Sequence, residues 1–195
     1  MKTITQKFEH RFLSNKYVPP DKRDIYLYGF RLIVSDIINF SLVLLLGTIL
    51  NSKINAIIFL LLLLLVRRHT GGFHAKTFTA CRLCMILSFF SVLLLSHYQQ
   101  MLGNQFIWLL TINTFCVAVI SVFAPVEHSN KPLNEKLIRR NKKKAVLSSI
   151  LVSVLSLVLH KFGYQEGVFI SDTLLMIVIL MFIGIIIRKG EKKNA

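Results

Sequence analysis

Two histidines, two cysteines, a Gly-Gly pair and four cationic residues fall within residues 67–84, R-R-H-T-G-G-F-H-A-K-T-F-T-A-C-R-L-C, wedged between long apolar runs. A thiol and an imidazole in one short segment meet the requirements of nucleophilic catalysis by cysteine: the thiolate attacks, and a neighbouring histidine takes its proton and stabilises the anion. His74 and Cys81 are the candidate pair. On one straight helix they would share a face but sit about 10.5 Å apart along the axis. Hydrogen-bond reach is roughly 3 Å, so the chain must fold back between them. Gly71 and Gly72, with no Cβ, can break a helix just upstream and let backbone N–H groups face a substrate carbonyl as an oxyanion site.

Other chemistry fits the same residues. Cys84 leads into an apolar run, where a free cysteine often serves as a small buried hydrophobe. His69, His74, Cys81 and Cys84 offer two imidazoles and a C-x2-C, acceptable tetrahedral zinc ligands, although H-x4-H-x6-C-x2-C is unlike the spacing of common zinc modules. Arg67 and Arg68 also suit a helix end anchored at phospholipid headgroups.

The elements that must position these groups are membrane helices. The 195 residues are 54% hydrophobic, mean hydropathy is +0.61, and the apolar residues come in long blocks, which excludes an ordinary soluble domain. Six apolar segments are expected, at about 32–50, 54–66, 83–98, 105–124, 145–160 and 168–187. Four approach the roughly 20 residues a bilayer requires. The fifth is short, and the second is shorter still; it either borrows residues 50–53 to complete a span or is re-entrant. Ahead of them, Ile4, Phe8 and Phe12 with Lys7 and Arg11 between them predict an amphipathic helix within residues 1–31. Pro19 and Pro20 end it, and Asp21 is placed to cap the next helix. The charged region is too long and the following run too nearly spanning for a cleavable signal peptide, so the segment is expected to stay attached.

The net charge of +15 raises the question of nucleic acid. The basic residues, however, sit in short loops beside apolar runs and not along a soluble surface, so no nucleic-acid partner is expected. With six crossings and a cytoplasmic N-terminus, residues 1–31, 67–82, 125–144 and 188–195 carry 22 of the 24 Lys and Arg, and only Lys53 and Lys161 fall outside. This asymmetry matches the positive-inside rule and sets residues 67–82 at the cytoplasmic edge of the bilayer, with both termini inside. A reducing cytoplasm keeps Cys81 a thiol. Four crossings are the next topology.

Asp36 interrupts the first span, with Arg31 or Arg67 as the expected interfacial partner. Ser149, Ser153 and Ser156 share one face of the fifth segment and suit close helix packing. Cys116 reads as packing, and Asp172, near an outer end, as solvated. In residues 125–144, Lys131, Lys136, Arg139, Arg140 and three further lysines suit clamping an acidic peptide, setting topology or binding anionic lipid.

Arg67, Gly71-Gly72, His74-Ala75 and, five residues later, Cys81, together with Ala124-Pro125 and Asn130-Lys131-Pro132-Leu133 before a basic cluster, resemble the signature of the accessory gene regulator B family. The similarity covers most of the chain. It implies a single membrane peptidase domain over 1–195, all-α and polytopic, in a bacterial cell membrane. It implies a cysteine endopeptidase in which His74 activates Cys81, with Arg67, Gly71, Gly72, Lys131, Lys136, Arg139 and Arg140 binding substrate or shaping the site. The implied substrate is a quorum-sensing propeptide with an amphipathic start and an acidic C-terminal tail. The thioester left on Cys81 would be resolved by a cysteine or serine of the peptide itself, closing a ring. The dyad calls for no metal or cofactor, and a homodimer is one assembly compatible with the family. The rival readings are a small membrane transporter or sensor subunit, without catalysis, and the His/Cys metal protein.

Overall fold

A computed structural model describes residues 23–71, 77–101, 105–126 and 134–193. The predicted amphipathic helix before Arg23 lies outside the described residues. Among the described residues the chain is all-helical, apart from a single isolated bridge. It divides into two compact units, Met1–Leu42 and Val43–Ala195.

Helix α1, Arg23–Ile49, begins in the first unit and carries the candidate span Gly29–Ile49. Asp36 is exposed on this helix.

In the second unit a turn at residues 50–52 leads into α2, Lys53–Leu62, which continues through a π-helical turn, Leu63–Arg67, and a short helix α3, Arg68–Thr70. The short second segment therefore gains Lys53 at its start and is lengthened mainly at its far end, with residues 50–52 remaining outside the helix. Taken together, residues 53–70 reach about 27 Å at 1.5 Å per residue, near the thickness of a hydrocarbon core. Helix α4 is Phe78–Gln100, α5 is Gln105–Phe123, α6 is Glu135–Lys161 and α7 is Glu166–Lys193. With α1, these make five helices long and apolar enough to cross a bilayer among the described residues. The chain is thus polytopic and helical; the second segment falls outside the five because its helix is interrupted.

Two expectations change. The fifth segment is not short: α6 runs for 27 residues and takes in Lys136, Arg139, Arg140, Lys142, Lys143 and Lys144. Lysine, arginine and glutamate are good helix formers, so the charge that marks a membrane boundary does not mark a helix end. Asp172 is not solvated but fully buried. It lies where α7 is surrounded, with every residue from 167 to 174 buried.

Helix α7 is the centre of this unit. Half of its candidate span is buried, against 22–28% for the other spans, and it packs on α2, α4, α5 and α6. Phe59 of α2, Phe89 of α4 and Phe169 of α7 form a ring chain with centroid separations of 5.3 and 6.4 Å. Between α6 and α7 the expected serine face is present: Ser149, Ser153 and Ser156 are buried, and Ser156 Oγ donates to the Gly167 carbonyl at 2.7 Å. A Cβ on Gly167 would sit 2.6 Å from the Ser156 carbonyl oxygen, so only glycine permits this crossing. Cys116 is fully buried in α5, as its reading as packing requires.

Candidate functional site

The segment that carries the candidate residues begins with α3. Thr70 is fully buried, and its hydroxyl donates back to the Arg67 carbonyl at 3.4 Å, closing the last helical turn. Gly71 follows with φ +71° and ψ −159°, a backbone region open almost solely to glycine. It forms an isolated parallel bridge with Val126, whose N–H donates to the Thr70 carbonyl at 2.9 Å. A Cβ on Gly71 would run into the Val126 carbonyl oxygen and sit 3.3 Å from the Val126 nitrogen. The start of the reactive segment is thereby joined to the stretch just after Ala124-Pro125, whose peptide bond is cis. Sequence reasoning singled out both stretches separately; no residue pattern signals their pairing, because a lone bridge has no periodicity.

On the far side of the segment, Thr77 is extended, with φ −123° and ψ 146°, and caps α4: its side chain accepts from the Ala80 N–H at 3.2 Å. A straight helix from position 74 to 81 is therefore ruled out, since the helical course breaks at Thr77, a condition that the dyad needs. Cys81 sits in the first turn of α4, half-buried, with its own N–H bonded to the Thr77 carbonyl at 3.1 Å. A helix N-terminus carries partial positive charge, which favours a thiolate over a thiol. Cys84, one turn further on, is also half-buried. Gly72, His74 and Lys131 lie outside the described residues.

The basic face of α6 meets this region. Helix α3 packs on α6, and Lys136, Arg139 and Arg140 lie on the first turns of α6, all three exposed. His69 is held below the ordinary histidine range, first by burial and then by the positive charges of Lys144, Arg68 and Arg140. Burial and like charge both penalise the imidazolium, so His69 is neutral at neutral pH. Arg67, in the last position of the π-helical turn, is half-buried beside it in sequence. Arg68, Arg140 and Lys144 thus form a cationic cluster about the start of the reactive segment, which the sequence placed in two separate loops. Among the described residues, no three His, Cys, Asp or Glu side chains converge as a metal-binding group.

The family model described as Accessory gene regulator B matches residues 1–188. Putative AgrB-like protein 2 of Clostridium perfringens (strain 13 / Type A) is 27% identical over 175 residues, covering 86% of this chain and 80% of that protein. A putative AgrB-like protein of Clostridium perfringens (strain SM101 / Type A) is 26% identical over 168 residues, covering 82% and 77%. Accessory gene regulator protein B of Staphylococcus aureus (strain JH9) is 28% identical over 102 residues, covering 52% of this chain and 53% of that protein. No solved structure matches the chain.

Proposed function

This chain belongs to the accessory gene regulator B family, and from that membership we propose that it is a membrane cysteine endopeptidase of a quorum-sensing system. It removes the acidic C-terminal tail of a signalling propeptide and closes the remainder into a ring. The observation that carries this reading is the place of Cys81 in the first turn of α4, directly behind the extended Thr77 that interrupts any straight helix back to position 74. A cysteine there is half-buried at the start of a helix.

The proposed chemistry proceeds in two acyl transfers. His74 takes the Cys81 proton, and the sulfur attacks the scissile carbonyl carbon. The oxyanion that forms is met by backbone N–H groups of the Gly71-Gly72 turn. On collapse the C–N bond breaks, the leaving amine takes the proton from His74, and the tail departs. The remaining peptide is held as a thioester on Cys81. A cysteine or serine within that peptide then loses its proton to His74 and attacks the thioester carbonyl, forming a thiolactone or lactone and returning the proton to Cys81. Water is the competing nucleophile, and a site at the bilayer edge limits its access. The thioester lies above the amide it replaces in free energy of hydrolysis, so it is activated for ring closure, and departure of the tail draws the first transfer forward.

Lys131, Lys136, Arg139 and Arg140, with Arg67, are assigned to the acidic tail. The nearness of Arg68, Arg140 and Lys144 to His69 supports an anion-binding role for the start of α6. Six crossings with both termini in the cytoplasm, and a peptidase domain extending over the whole chain, complete the proposal.

The test is cleavage of a cognate precursor in membranes. Cys81→Ala should abolish it, and His74→Ala should lower it by ~10²–10⁴-fold, the usual contribution of a general base. Both variants should accumulate in the membrane as the wild type does. A comparable rate from either variant would discard the dyad and leave the transporter or sensor reading. Stoichiometric zinc in the purified protein would instead favour the His/Cys metal site.

A further inference from the structure

At the other end of α4 a second polar site lies inside the bundle. Gln99 is on the same helix as Cys81 but eighteen residues later, about 27 Å along the axis, so the two sites are separate. Gln99 Nε2 donates to Asp172 Oδ1 at 2.8 Å, and this bond joins α4 to the central helix α7. Asp172 is 0% exposed and Gln99 7%. The remaining side-chain oxygens of the pair, Asp172 Oδ2 and Gln99 Oε1, have no hydrogen-bond partner among the described residues, nor has the hydroxyl of the adjacent, fully buried Ser171.

A carboxyl group in the interior of a membrane bundle is costly unless it is paired, and residues of this kind mark ion and proton sites. One amide N–H satisfies one lone pair on one oxygen. It leaves the charge of a carboxylate uncompensated, whereas a carboxylic acid O–H on Oδ2 has the unmet Gln99 Oε1 of the same amide as its candidate acceptor. The unmet groups are oxygens: they call for something electropositive. Among the described residues no Lys, Arg or His is buried. Cys116 of α5 is a buried thiol, while His160 of α6, stacked on Phe106 at 6.4 Å, and Glu166 of α7 are half-buried. Lys53, His97 and Lys161 are exposed.

We propose that Asp172 and Gln99 form a binding site for one monovalent cation, a sodium ion or a proton, buried between α4 and α7. Asp172 supplies the charge through Oδ2, and Gln99 both holds Oδ1 by its N–H and offers Oε1. A sodium ion would take these oxygens as hard ligands. A proton would neutralise Oδ2 in place. The site is independent of the thiol chemistry, so the proposal stands or falls apart from the proposed peptidase activity.

The experiment uses the full chain in lipid nanodiscs and reads the thermal unfolding midpoint. Sodium chloride is exchanged for choline chloride at constant ionic strength, and pH is varied separately; direct uptake of radioactive sodium is measured alongside. If the ion is sodium, the midpoint rises saturably with sodium and uptake approaches one ion per chain, and Asp172→Asn loses both. If it is a proton, sodium has no effect, and the wild-type midpoint shows a pH response that Asp172→Asn lacks. Gln99→Leu weakens whichever response is found. Identical sodium and pH dependence in the wild type and Asp172→Asn overturns the proposal and leaves the pair a packing hydrogen bond. Should Asp172→Asn fail to fold, Gln99→Leu decides: no sodium uptake by the wild type, with an unaltered pH response in Gln99→Leu, overturns it equally.

Discussion

Gly71 and Val126 lie side by side as an isolated parallel bridge, held by the Val126 N–H donating to the Thr70 carbonyl at 2.9 Å. Gly71 takes φ +71° there, and the Val126 carbonyl occupies the space where a Cβ would project. The contact ties the exit of α3, three residues before His74, to the chain that leads from α5 towards the basic turns of α6. The reactive segment is therefore anchored at its start by this bridge and at its end by the Thr77 cap.

Gly71→Ala should be costly on both counts, strained backbone and collision, at about 1–3 kcal/mol. The bridge should open, and precursor cleavage should fall by ~10-fold or more at that cost, with the membrane level of the protein less affected. Gly190, where an added methyl would meet nothing within 4 Å, is the control, and Gly190→Ala should be neutral. Cleavage assays and thermal unfolding on the two variants check this; equal activity in both would remove the bridge from any role in positioning.

His69 gives a pH prediction. Its value in the folded chain is depressed by burial, Lys144, Arg68 and Arg140, so the unfolded chain binds its proton more readily. Stability then rises with pH across the interval between the depressed folded value and the ordinary histidine value, and falls as pH drops through it. The double variant Arg140→Gln, Lys144→Gln removes two of the three charges, which should raise the His69 titration midpoint and flatten this slope. Histidine NMR titration and pH-dependent unfolding provide the measurement. The same variant should weaken the use of a precursor with an acidic tail, mainly through KM, and should matter little for one whose tail is neutral; a loss equal for both precursors would disconnect the cluster from tail binding.

Topology can be read by accessibility. In a background lacking other cysteines, Lys53→Cys and Lys161→Cys should react with a membrane-impermeant maleimide from outside intact cells, and Lys136→Cys only after the membrane is opened. All three side chains are exposed. Labelling of position 136 in intact cells would reverse the proposed orientation and place the thiol chemistry on the wrong side for a cytoplasmic precursor.

The all-helical membrane class was legible in the residue pattern because the hydrophobic effect acts on each segment's own composition; six crossings were expected, and five helices among the described residues are long and apolar enough to span. The Gly71 to Cys81 signature was legible too, since its residues are neighbours in the chain. Less legible were element lengths: charge gave the boundary of the fifth span, while α6 runs on through Lys136 to Lys144 because a helix needs backbone bonding and not apolarity.

What the sequence by itself determined, then, is which residues can do chemistry and which segments enter the bilayer, properties carried by side-chain type and local spacing. Only the tertiary structure decided which of them come together: Gly71 bridged to Val126, Gln99 bonded to Asp172, and His69 within the electrostatic influence of Arg140 and Lys144. Each joins elements far apart in the chain, and for Asp172 the cause is the enclosure of α7 by α2, α4, α5 and α6, a packing arrangement that no single segment encodes. Asp172 shows the consequence: near the end of its segment it reads as wet, and the helices that converge there bury it completely.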